Sequence, residues 1–424
     1  MRESDVIMSE EVWESLYQSM RKPPMDPVLT GFNANLDRVI PVTTDLIRTL
    51  ERRVPGREIL RDRLLSSMRY STADEWFVTD SNMYHDIAKF FSAAGTLAIG
   101  GQAGIAAVHL RRLGIPSVVC AVPGAGPHTC DMLQDAGVIP LTFESEARDR
   151  FDTTHLIFEY PPNLVQVAEQ VVPRSNRFIV SPVHDPSTVI IPEALQDTFI
   201  KQIASCRRAF LSGYQYLRKE HEFITAARQI QMIRSANPLM RTHVECVSVA
   251  DRFVLAMMLY HIIPNTDSIG LNEYELGLLM HALWGTDPVS AGSPLPLSPV
   301  ACVREAIALA DATGVRRIHL HTFGYYILIL EPGTAQPEKS QHALFLAARE
   351  TADAAGGDRQ ILSPDGLLAY DAVREAIGPD QTTGIFEVGD RVVILVPTYI
   401  SQNINKTTGL GDMLSSTAFV ADQF

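Results

Sequence analysis

The chain has 424 residues, with a hydrophobic fraction of 46% and a charged fraction of 20%, which indicates a soluble globular protein with one large domain plus a lobe, or with two domains. Its formal net charge of −13 argues against a nucleic-acid-binding surface, although a local basic pocket for phosphate is compatible with it. The five scattered cysteines form no C-x-x-C pair and no apolar run reaches 18 residues, so we expect no disulfide framework, no zinc site and a cytoplasmic location.

The first ordered elements are predicted to be an amphipathic helix over Asp5–Arg21 and a short apolar strand over Pro27–Phe32. Polar residues follow that strand directly, where open α/β sheets place their ligands. Asn35 and Asp37 are two residues apart and would share a face in an extended segment. An amide beside a carboxylate can bind vicinal hydroxyls, but a polar turn that closes a strand would explain the same residues.

A glycine cluster, Gly100-Gly101-Gln102-Ala103-Gly104, precedes an alanine-rich helix predicted over Ile105–Leu113. Backbone N–H groups at the start of that helix, together with the Gln102 amide, could bind a small polar ligand. The cluster lacks the spacing of a dinucleotide-binding fingerprint. The chain also contains no Gly-Lys pair, which excludes a Walker-type phosphate loop.

Strands and helices are predicted to alternate along most of the chain, which is typical of an α/β protein with a doubly wound, mostly parallel sheet. Apolar and β-branched runs predict strands at Asp74–Val78, Ile115–Val122, His155–Tyr160, Phe178–Ser181, Ala209–Gly213, Thr242–Val247, Ser268–Leu271, Arg317–His321, Tyr325–Leu330, His342–Ala347 and, as the last strand, Arg391–Val396. Later helices are predicted at Ala250–Leu259, from Asn272 onward, and at Val303–Thr313.

Two pairs of residues are candidates for a magnesium site. His243 and Glu245 would face the same side of a predicted strand, and Asn272 and Glu275 lie three apart at the start of a predicted helix. Both glutamates fall at strand ends in an α/β layout, so they could converge on one hydrated Mg²⁺, which accepts one or two carboxylates and keeps several waters. Asn272-x-x-Glu275 is also a capping-box-like pattern, and that alternative stays open.

A second glycine loop, Asn405-Lys406-Thr407-Thr408-Gly409-Leu410-Gly411-Asp412, precedes the apolar run Met413–Val420. Glycines at 409 and 411 let the backbone approach a ligand closely, and the first turn of the following helix would attract an anion. Asp412 occupies the position of a general base that deprotonates an alcohol. The alternative interpretation is a turn with Asp412 as an ordinary helix cap.

These motifs follow one another as Asn-x-Asn-x-Asp, Gly-Gly-Gln, His-x-Glu, Asn-x-x-Glu and Gly-x-Gly-Asp. The set resembles the ADP-dependent sugar kinases, glucokinase and phosphofructokinase, of the ribokinase-like superfamily, over almost the whole chain from about Gly31 to Phe424. Supporting stretches that look like the family are Leu156–Pro161, Leu211–Gln215 and His321–Tyr326.

The resemblance implies ADP as phosphoryl donor, AMP as product, Mg²⁺ as cofactor and a sugar as acceptor. Asp412 would be the catalytic base, with Gly409 and Gly411 in the catalytic loop, and Glu245 and Glu275 would hold the metal. The implied sugar contacts are Asn35, Asp37, Glu75, Gly101, Gln102 and His155. The implied donor contacts are Arg177, His321, Gly409, Leu410 and Gly411. We expect no nucleic-acid or membrane partner, and a monomer or small homo-oligomer.

The resemblance also implies a large nucleotide-binding domain, residues 1–33, 96–150 and 183–424, and a discontinuous α+β lid that binds sugar, residues 34–95 and 151–182. Glu75 before Trp76-Phe77-Val78 is similar to a glutamate that contacts glucose in glucokinases of the family. The favoured reaction is therefore transfer of the β-phosphoryl of ADP to the 6-hydroxyl of glucose. The alternatives are an ADP-dependent 6-phosphofructokinase, for which Arg174 could bind the phosphate, a bifunctional enzyme, or a non-catalytic binding protein.

Overall fold

Two β-sheets of unequal size form the framework of the part of the protein that is described, one with ten strands and one with five. The computed structural model describes residues 3–50, 57–70, 74–142, 152–162, 164, 172–173, 175–249, 251–285, 297–356, 359–402 and 409–424. In chain order the strands are β1 (Val28–Gly31), β2 (Asn35–Pro41), β3 (Asp74–Val78), β4 (Thr96–Gly100), β5 (Val118–Ala121), β6 (Ile139–Leu141), β7 (Thr154–Tyr160), β8 (Asn176–Pro182), β9 (Arg208–Leu211), β10 (Arg241–Glu245), β11 (Ser268–Leu271), β12 (Arg317–His321), β13 (Tyr325–Leu330), β14 (Arg359–Leu362), β15 (Ile385–Val388), β16 (Arg391–Pro397) and β17 (Tyr399–Gln402). The α-helices are α1 (Glu3–Ser19), α2 (Thr44–Leu50), α3 (Arg57–Tyr70), α4 (Ser81–Phe90), α5 (Gln102–Arg112), α6 (Pro127–Asp135), α7 (Gln196–Ile203), α8 (Glu220–Ser235), α9 (Arg252–Met257), α10 (Glu273–Trp284), α11 (Pro299–Thr313), α12 (Pro337–Ala355), α13 (Pro364–Ile377) and α14 (Leu410–Ala421).

The larger sheet has the strand order β15-β16-β13-β12-β11-β10-β9-β1-β5-β6. Every neighbouring pair from β12 to β6 is parallel, and the pairs β12–β13, β13–β16 and β15–β16 are antiparallel. Strands β1, β9 and β11 are buried at every residue, as expected of parallel strands that are covered on both faces. The predicted α/β class with a mostly parallel sheet is confirmed.

The smaller sheet has the order β3-β8-β7-β2-β4 and combines parallel and antiparallel pairs. It has a hydrophobic core of its own, in which Trp76, Phe158 and Phe178 pack with residues of α3 and α4. Strand β4 belongs to this sheet because Gly100 pairs with Asn35 and Thr96 pairs with Val39. The smaller sheet therefore includes a strand that lies beyond the predicted lid segment 34–95, and the division into domains stays a prediction.

Two of the connections between the two sheets are very short. Three residues, Phe32, Asn33 and Ala34, join β1 of the larger sheet to β2 of the smaller one. A single residue, Gly101, joins β4 of the smaller sheet to α5, whose helix packs against β1 and β5 of the larger sheet. Gly101 is itself a predicted sugar contact, and the first connection leads directly into Asn35, another predicted sugar contact.

Two predictions near the C-terminal end are wrong. The run His342–Ala347, predicted as a strand, lies inside α12, where alanine and leucine are strong helix formers and Pro337 occupies the first turn. Its apolar residues are consecutive because this helix is buried on more than one side. Strand Arg391–Val396 is not the last strand, since β17 follows it and pairs with β14.

Helix α14 is enclosed by the rest of the protein, packing on α5, α12 and the larger sheet, and its residues from Met413 to Ala421 are buried. The Arg317 guanidinium fixes its C-terminal end by donating hydrogen bonds to the Asp422 carboxylate at 2.9 Å and to the Ala418 carbonyl oxygen at 3.2 Å. Both charged side chains of this ion pair are fully buried. Among the described helices, none is long and apolar enough to cross a membrane.

Candidate active site

The start of α14 forms one end of the candidate site. Gly409 is the N-cap residue with a φ of 75°, a left-handed conformation that glycine adopts without strain. Leu410, Gly411 and Asp412 form the first helical turn. Asp412 is therefore the third helical residue and does not occupy the cap position, so the ordinary-cap alternative does not describe it. The preceding predicted residues, 405–408, lie outside the described part of the chain.

The carboxylate of Asp412 lies close enough to three other carboxylates to shift their pKa values. Burial is the main cause of the raised pKa values of Asp37, Glu245 and Glu275, and the negative charge of Asp412 adds to each rise. The start of α14 therefore lies between the predicted sugar contacts and the predicted metal ligands. This is the position that a base acting on a sugar hydroxyl requires.

Asn35 and Asp37 share one face of β2, as predicted. The Asn35 side-chain amide donates a hydrogen bond to Asp37 Oδ1 at 2.7 Å. Burial raises the pKa of Asp37 to about 7, and the charges of Asp412 and Glu75 add to this rise against the hydrogen bond from Asn35. A Cβ at Gly100 on the neighbouring strand would overlap the Asp37 carboxylate, so the first glycine of the Gly-Gly-Gln motif makes room for it.

Gly101 and Gln102 lie beside this pair at the start of α5. Gly101 has a φ of 72°, and a Cβ there would approach the Asn33 carbonyl oxygen to 2.6 Å. Within the described part of the chain, the buried oxygens Asn35 Oδ1 and Gln102 Oε1 have no hydrogen-bond donor. Buried acceptors of this kind are normally satisfied, so they indicate a ligand that donates hydrogen bonds.

His155 occupies the next strand of the smaller sheet, in parallel register with Asp37. Its Nδ1 atom lies 3.9 Å from Asp37 Oδ1, and its Nε2 atom lies 2.9 Å from Nε2 of His184. Burial lowers the pKa of His155 to about 3 and that of His184 to about 4, so both rings are neutral at pH 7. One ring must then donate the shared hydrogen bond and the other accept it.

Glu75 and Arg177 complete the face that the smaller sheet presents to the cleft. Ser181 donates a hydrogen bond to Glu75 Oε1 at 2.5 Å. Burial raises the pKa of Glu75, whereas the positive charge of Arg177 lowers the pKa values of both Glu75 and Asp37. Arg177, which was predicted to contact the donor phosphates, thus lies among the predicted sugar contacts. Arg174 lies outside the described residues.

Glu245 ends β10 and Glu275 lies in the first turn of α10. Glu275 forms the capping box with Asn272, because its Oε2 accepts from the Asn272 N–H at 2.9 Å and the Asn272 side chain accepts from the Glu275 N–H at 2.9 Å. The capping alternative is therefore correct as geometry. It leaves Glu275 Oε1 bonded to the Ser248 hydroxyl at 3.1 Å, on the side that lines the cleft.

The two glutamates are buried and their environment fits a hydrated cation. Burial raises the pKa of Glu275 to about 7 and holds that of Glu245 well above its usual range, and the nearby charges of Asp412 and Glu275 raise the pKa of Glu245 further. Repulsion among three carboxylates is what a divalent cation relieves. No cluster of three or more His, Cys, Asp or Glu side chains with direct metal-ligand geometry occurs among the described residues.

His321 lies between Glu245 and the start of α14. Its Nε2 atom is 3.8 Å from Glu245 Oε1, and a Cβ built on Gly411 would lie 3.7 Å from the same nitrogen. Burial lowers the pKa of His321 to about 4, so the ring is neutral at pH 7. A neutral imidazole beside the anion-binding turn could donate a hydrogen bond to a phosphate oxygen without adding charge.

A cleft of about 820 Å³ connects the predicted sugar contacts to Asp412. Glu245 and Glu275 line a separate, smaller cavity that shares Gln215, Val247 and Val249 with this cleft. Asp37, Glu75, Gln102, His155 and Arg177 line one part of it, and Ser248, Tyr274, Gly409 and Asp412 line the other. The volume lies within the range of small-molecule and cofactor sites, which suits a sugar and a nucleotide side by side.

Comparison with known proteins decides the family. A family model described as the ADP-specific phosphofructokinase/glucokinase conserved region matches residues 26–421 of the chain. The chain belongs to this family. It is an ADP-dependent sugar kinase, as the order of its motifs predicted.

Relatives of both acceptor types are similar to this kinase over their full lengths. It is 27% identical to the ADP-dependent glucose/glucosamine kinase of Pyrococcus furiosus, over 97% of this chain and 98% of that protein. It is 25% identical to the ADP-specific phosphofructokinase of Methanosarcina acetivorans, over 96% of this chain and 95% of that protein. A solved ADP-dependent kinase complex with fructose-6-phosphate and ADPβS shares the fold, with a TM-score of 0.78, 22% identity and coverage of 99% and 98%.

The ADP-dependent sugar kinase contains site residues that the sequence motifs did not identify. His184 follows β8, forms the hydrogen bond to His155 and stacks on Tyr216, with ring centroids 3.9 Å apart and planes inclined by 15°. Tyr216 and Arg218 line the cleft from the larger domain. A lone histidine outside any motif carries no sequence signal for this contact, because residues 155 and 184 meet through the pairing of β7 with β8.

Proposed function

We propose that this ADP-dependent sugar kinase transfers the β-phosphoryl group of ADP to the 6-hydroxyl of glucose, giving glucose 6-phosphate and AMP. The observation that carries the proposal is the position of Glu75. Its carboxylate lines the same cleft as Asp37, Gln102 and His155, and Ser181 holds one of its oxygens in place. A carboxylate at this position suits a neutral sugar, which offers hydroxyl donors, and repels a sugar phosphate.

The other groups on the sugar side support a polyhydroxylated acceptor. Asp37 and Glu75 are hydrogen-bond acceptors when ionised, and the buried oxygens of Asn35 and Gln102 add two more acceptors. Glucose presents several hydroxyl donors at once, so it could satisfy all of these oxygens together. The proposed sugar-binding unit is the five-stranded sheet with its helices, with its boundary after Gly100.

We propose Asp412 as the general base. Its carboxylate would take the proton of the sugar 6-hydroxyl while the bond from that oxygen to the β-phosphorus forms and the bond from the β-phosphorus to the bridging oxygen breaks, so that AMP leaves with the bridging oxygen. The backbone N–H groups of the turn that follows Gly409 would stabilise negative charge on the transferring phosphoryl group. His321 and Arg177 are proposed donors to phosphate oxygens.

Glu245 and Glu275 are the proposed ligands of Mg²⁺, mainly through water. Both are buried, and both have a carboxylate whose pKa is raised by neighbouring negative charge. When bound, Mg²⁺ would neutralise charge on the donor phosphates. The capping box holds Glu275 in one orientation, so this carboxylate is preorganised for a water-mediated contact.

A specific observation favours fructose 6-phosphate as a second candidate acceptor. Arg177 and Arg218 both line the cleft, and within the described residues the buried Nε atom of Arg177 has no hydrogen-bond acceptor. Two guanidinium groups could bind the phosphate of a sugar phosphate, since arginine matches phosphate oxygens in a bidentate manner. The acceptor therefore depends on whether Glu75 or this pair of arginines determines specificity.

Initial rates with four substrate pairs test the proposal: ADP or ATP as donor and glucose or fructose 6-phosphate as acceptor, with Mg²⁺ present. Activity with ADP and glucose alone is the expected result. Activity with ADP and fructose 6-phosphate alone would identify fructose 6-phosphate as the acceptor and would indicate that Arg177 and Arg218 bind its phosphate. Binding of ADP and glucose without any product would support a non-catalytic binding protein.

A further inference from the structure

Several buried polar groups meet at one oxygen of Glu245. Ser415, in the second turn of α14, donates a hydrogen bond from its hydroxyl to Glu245 Oε2 at 2.5 Å. The Nε2 atom of His243 lies 3.1 Å from the same oxygen. Ser415 and His243 are fully buried, and Glu245 is 4% exposed. Oε2 is thus engaged by the protein core, whereas Oε1 is the oxygen on the side of His321.

The tautomer of His243 follows from its neighbours. Arg317 donates a hydrogen bond to the Ser268 hydroxyl at 3.0 Å, and Ser268 Oγ lies 2.8 Å from Nδ1 of His243. Arginine has no acceptor, so the Ser268 hydroxyl accepts from it and has its own proton available for Nδ1, while Nε2 faces the Glu245 carboxylate oxygen, which accepts when ionised. Nε2 of His243 then carries the ring proton and donates toward Glu245. Two donors from different elements therefore converge on Oε2.

The backbone of β11 makes room for this junction. A Cβ added at Gly270 would overlap Glu245 Oε2, would lie 2.5 Å from Ser415 Oγ and would lie 2.8 Å from His243 Nε2. Gly270 pairs with Glu245 in the parallel ladder between β10 and β11. The glutamate, the serine and the histidine thus occupy the space that a side chain on this strand would need.

Ser415 also has a fixed relation to the proposed base. It lies three residues after Asp412 on the same helix, a spacing that places two side chains on one face, about one turn apart. We infer that Ser415 is a positioning residue that joins the helix carrying Asp412 to the metal-binding carboxylate of Glu245. By holding Oε2, it leaves Oε1 as the oxygen that would hold a cation, and it would keep that oxygen in a constant position relative to the helix that carries Asp412. This inference rests on the proposed roles of Glu245 and Asp412.

Adjacent serines provide a matched test. Ser415→Ala removes the hydrogen bond to Glu245. Ser416→Ala removes an equally buried hydroxyl whose hydrogen bond, among the described residues, stays within its own helix, to the Met413 carbonyl oxygen at 3.1 Å. We expect Ser415→Ala to weaken Mn²⁺ binding about 10- to 100-fold, as loss of an outer-shell partner does, and to lower kcat. Ser416→Ala should bind Mn²⁺ as wild type does. Mn²⁺ titration followed by electron paramagnetic resonance or calorimetry gives a readout that is independent of turnover.

The Glu245→Gln variant separates the inference from the function on which it rests. If Ser415 acts through Glu245, adding Ser415→Ala to Glu245→Gln should cause little further loss of Mn²⁺ affinity. Wild-type Mn²⁺ affinity in Ser415→Ala, with a loss in Glu245→Gln, would overturn the positioning role alone. Unchanged affinity in both variants would overturn the metal site and the inference with it. If Ser415→Ala does not fold, Ser415→Cys keeps the side-chain size with a weaker donor, and should show a smaller loss in the same direction.

Discussion

The Nε2 atoms of His155 and His184 lie 2.9 Å apart and form a hydrogen bond between two neutral rings. His155 belongs to β7 of the smaller sheet, and His184 stacks on Tyr216, which follows β9 of the larger sheet. The pair therefore connects a proposed sugar contact to the opposite side of the cleft. A ring that is held in one tautomer presents the same nitrogen to every substrate molecule.

His184→Phe should separate the stacking interaction from the hydrogen bond. Phenylalanine can stack on Tyr216 but cannot bond to His155, so the KM for the sugar should rise about three- to tenfold, the usual value of one neutral hydrogen bond. The kcat and the KM for ADP should change by less than about twofold. Steady-state kinetics with each substrate varied would check this, and His184→Gln, which can still donate, should recover part of the loss. Equal changes in both KM values would indicate a general structural effect.

Asp412→Asn should lower kcat by about 10²- to 10⁴-fold, the contribution that general base catalysis usually makes. The affinity for ADP should change little, because the backbone of the turn that follows Gly409 is retained. Single-turnover rates and calorimetric titration with ADP measure the two effects separately. Substantial turnover by this variant would exclude Asp412 as the base.

Glu75→Gln should raise the KM for glucose more than the KM for ADP. The change keeps the size of the side chain but removes the charge on the carboxylate that Ser181 holds. Asp74→Asn is the matched control, because Asp74 is the adjacent carboxylate and also lines the cleft. If both variants raise the KM for glucose equally, charge in the cleft matters and Glu75 has no specific role.

Asp37→Asn should change how stability depends on pH. The folded protein holds the pKa of Asp37 at about 7, above its ordinary value of 3.8, so the native state binds more protons between these values and the free energy of unfolding falls as pH rises through that range. An amide has no such penalty. The stability of the variant relative to wild type should therefore improve from pH 5 to pH 8, by up to about 2.6 kcal/mol.

Chemical denaturation of both proteins across this pH range, without metal or substrate, measures the difference for Asp37→Asn. Subtracting the wild-type curve removes the contribution that every other titrating group, including Glu245 and Glu275, makes to the pH dependence of stability. Parallel stability curves would mean that Asp37 titrates near its ordinary value in the folded protein.

Asp422→Asn should destabilise the fold by about 3–5 kcal/mol, because it leaves the fully buried Arg317 guanidinium without a counter-charge. The control is Glu331→Gln, which breaks the half-exposed pair that Glu331 forms with the neighbouring Arg316 at 2.7 Å. That change should cost at most about 1 kcal/mol. Urea denaturation of the two variants compares them directly, and similar losses would argue against a buried charge at Arg317.

The sequence was sufficient to predict the class of fold and the family. Predicted residues that line one cleft, Asp37, Glu75, Gln102, His155 and Asp412, come from motifs at strand ends or helix starts. Asn35 and Asp37 interact as their spacing predicts, since a period of two is a local property of a strand. His342–Ala347 was assigned wrongly because a short apolar run does not distinguish a buried strand from a buried helix. The proposed roles of the site residues stay predictions.

The contacts that the sequence could not predict are those between distant elements. His184 reaches His155 through strand pairing, and Ser415 reaches Glu245 across 170 residues of chain. Gly270 has no unusual backbone conformation. A glycine is needed there because the side chains of Glu245, Ser415 and His243 occupy the space that a Cβ would take. A single sequence shows which residue type is present at each position, but it does not show which side chains come into contact in the fold.

The two short connections between the sheets lie beside the proposed sugar contacts, which relates sugar binding to the angle between the sheets. Asn33 accepts hydrogen bonds through its carbonyl oxygen from the N–H groups of Ala103 and Gly104, and Gly101 lies against the Asn33 backbone. The short connections and the proposed sugar contacts thus meet at Gly101. A rotation of one sheet against the other about these connections would move Gly101, so sugar binding would be coupled to the angle between the sheets. Changes in the angle between the sheets and changes in sugar affinity would then be two measurements of one equilibrium.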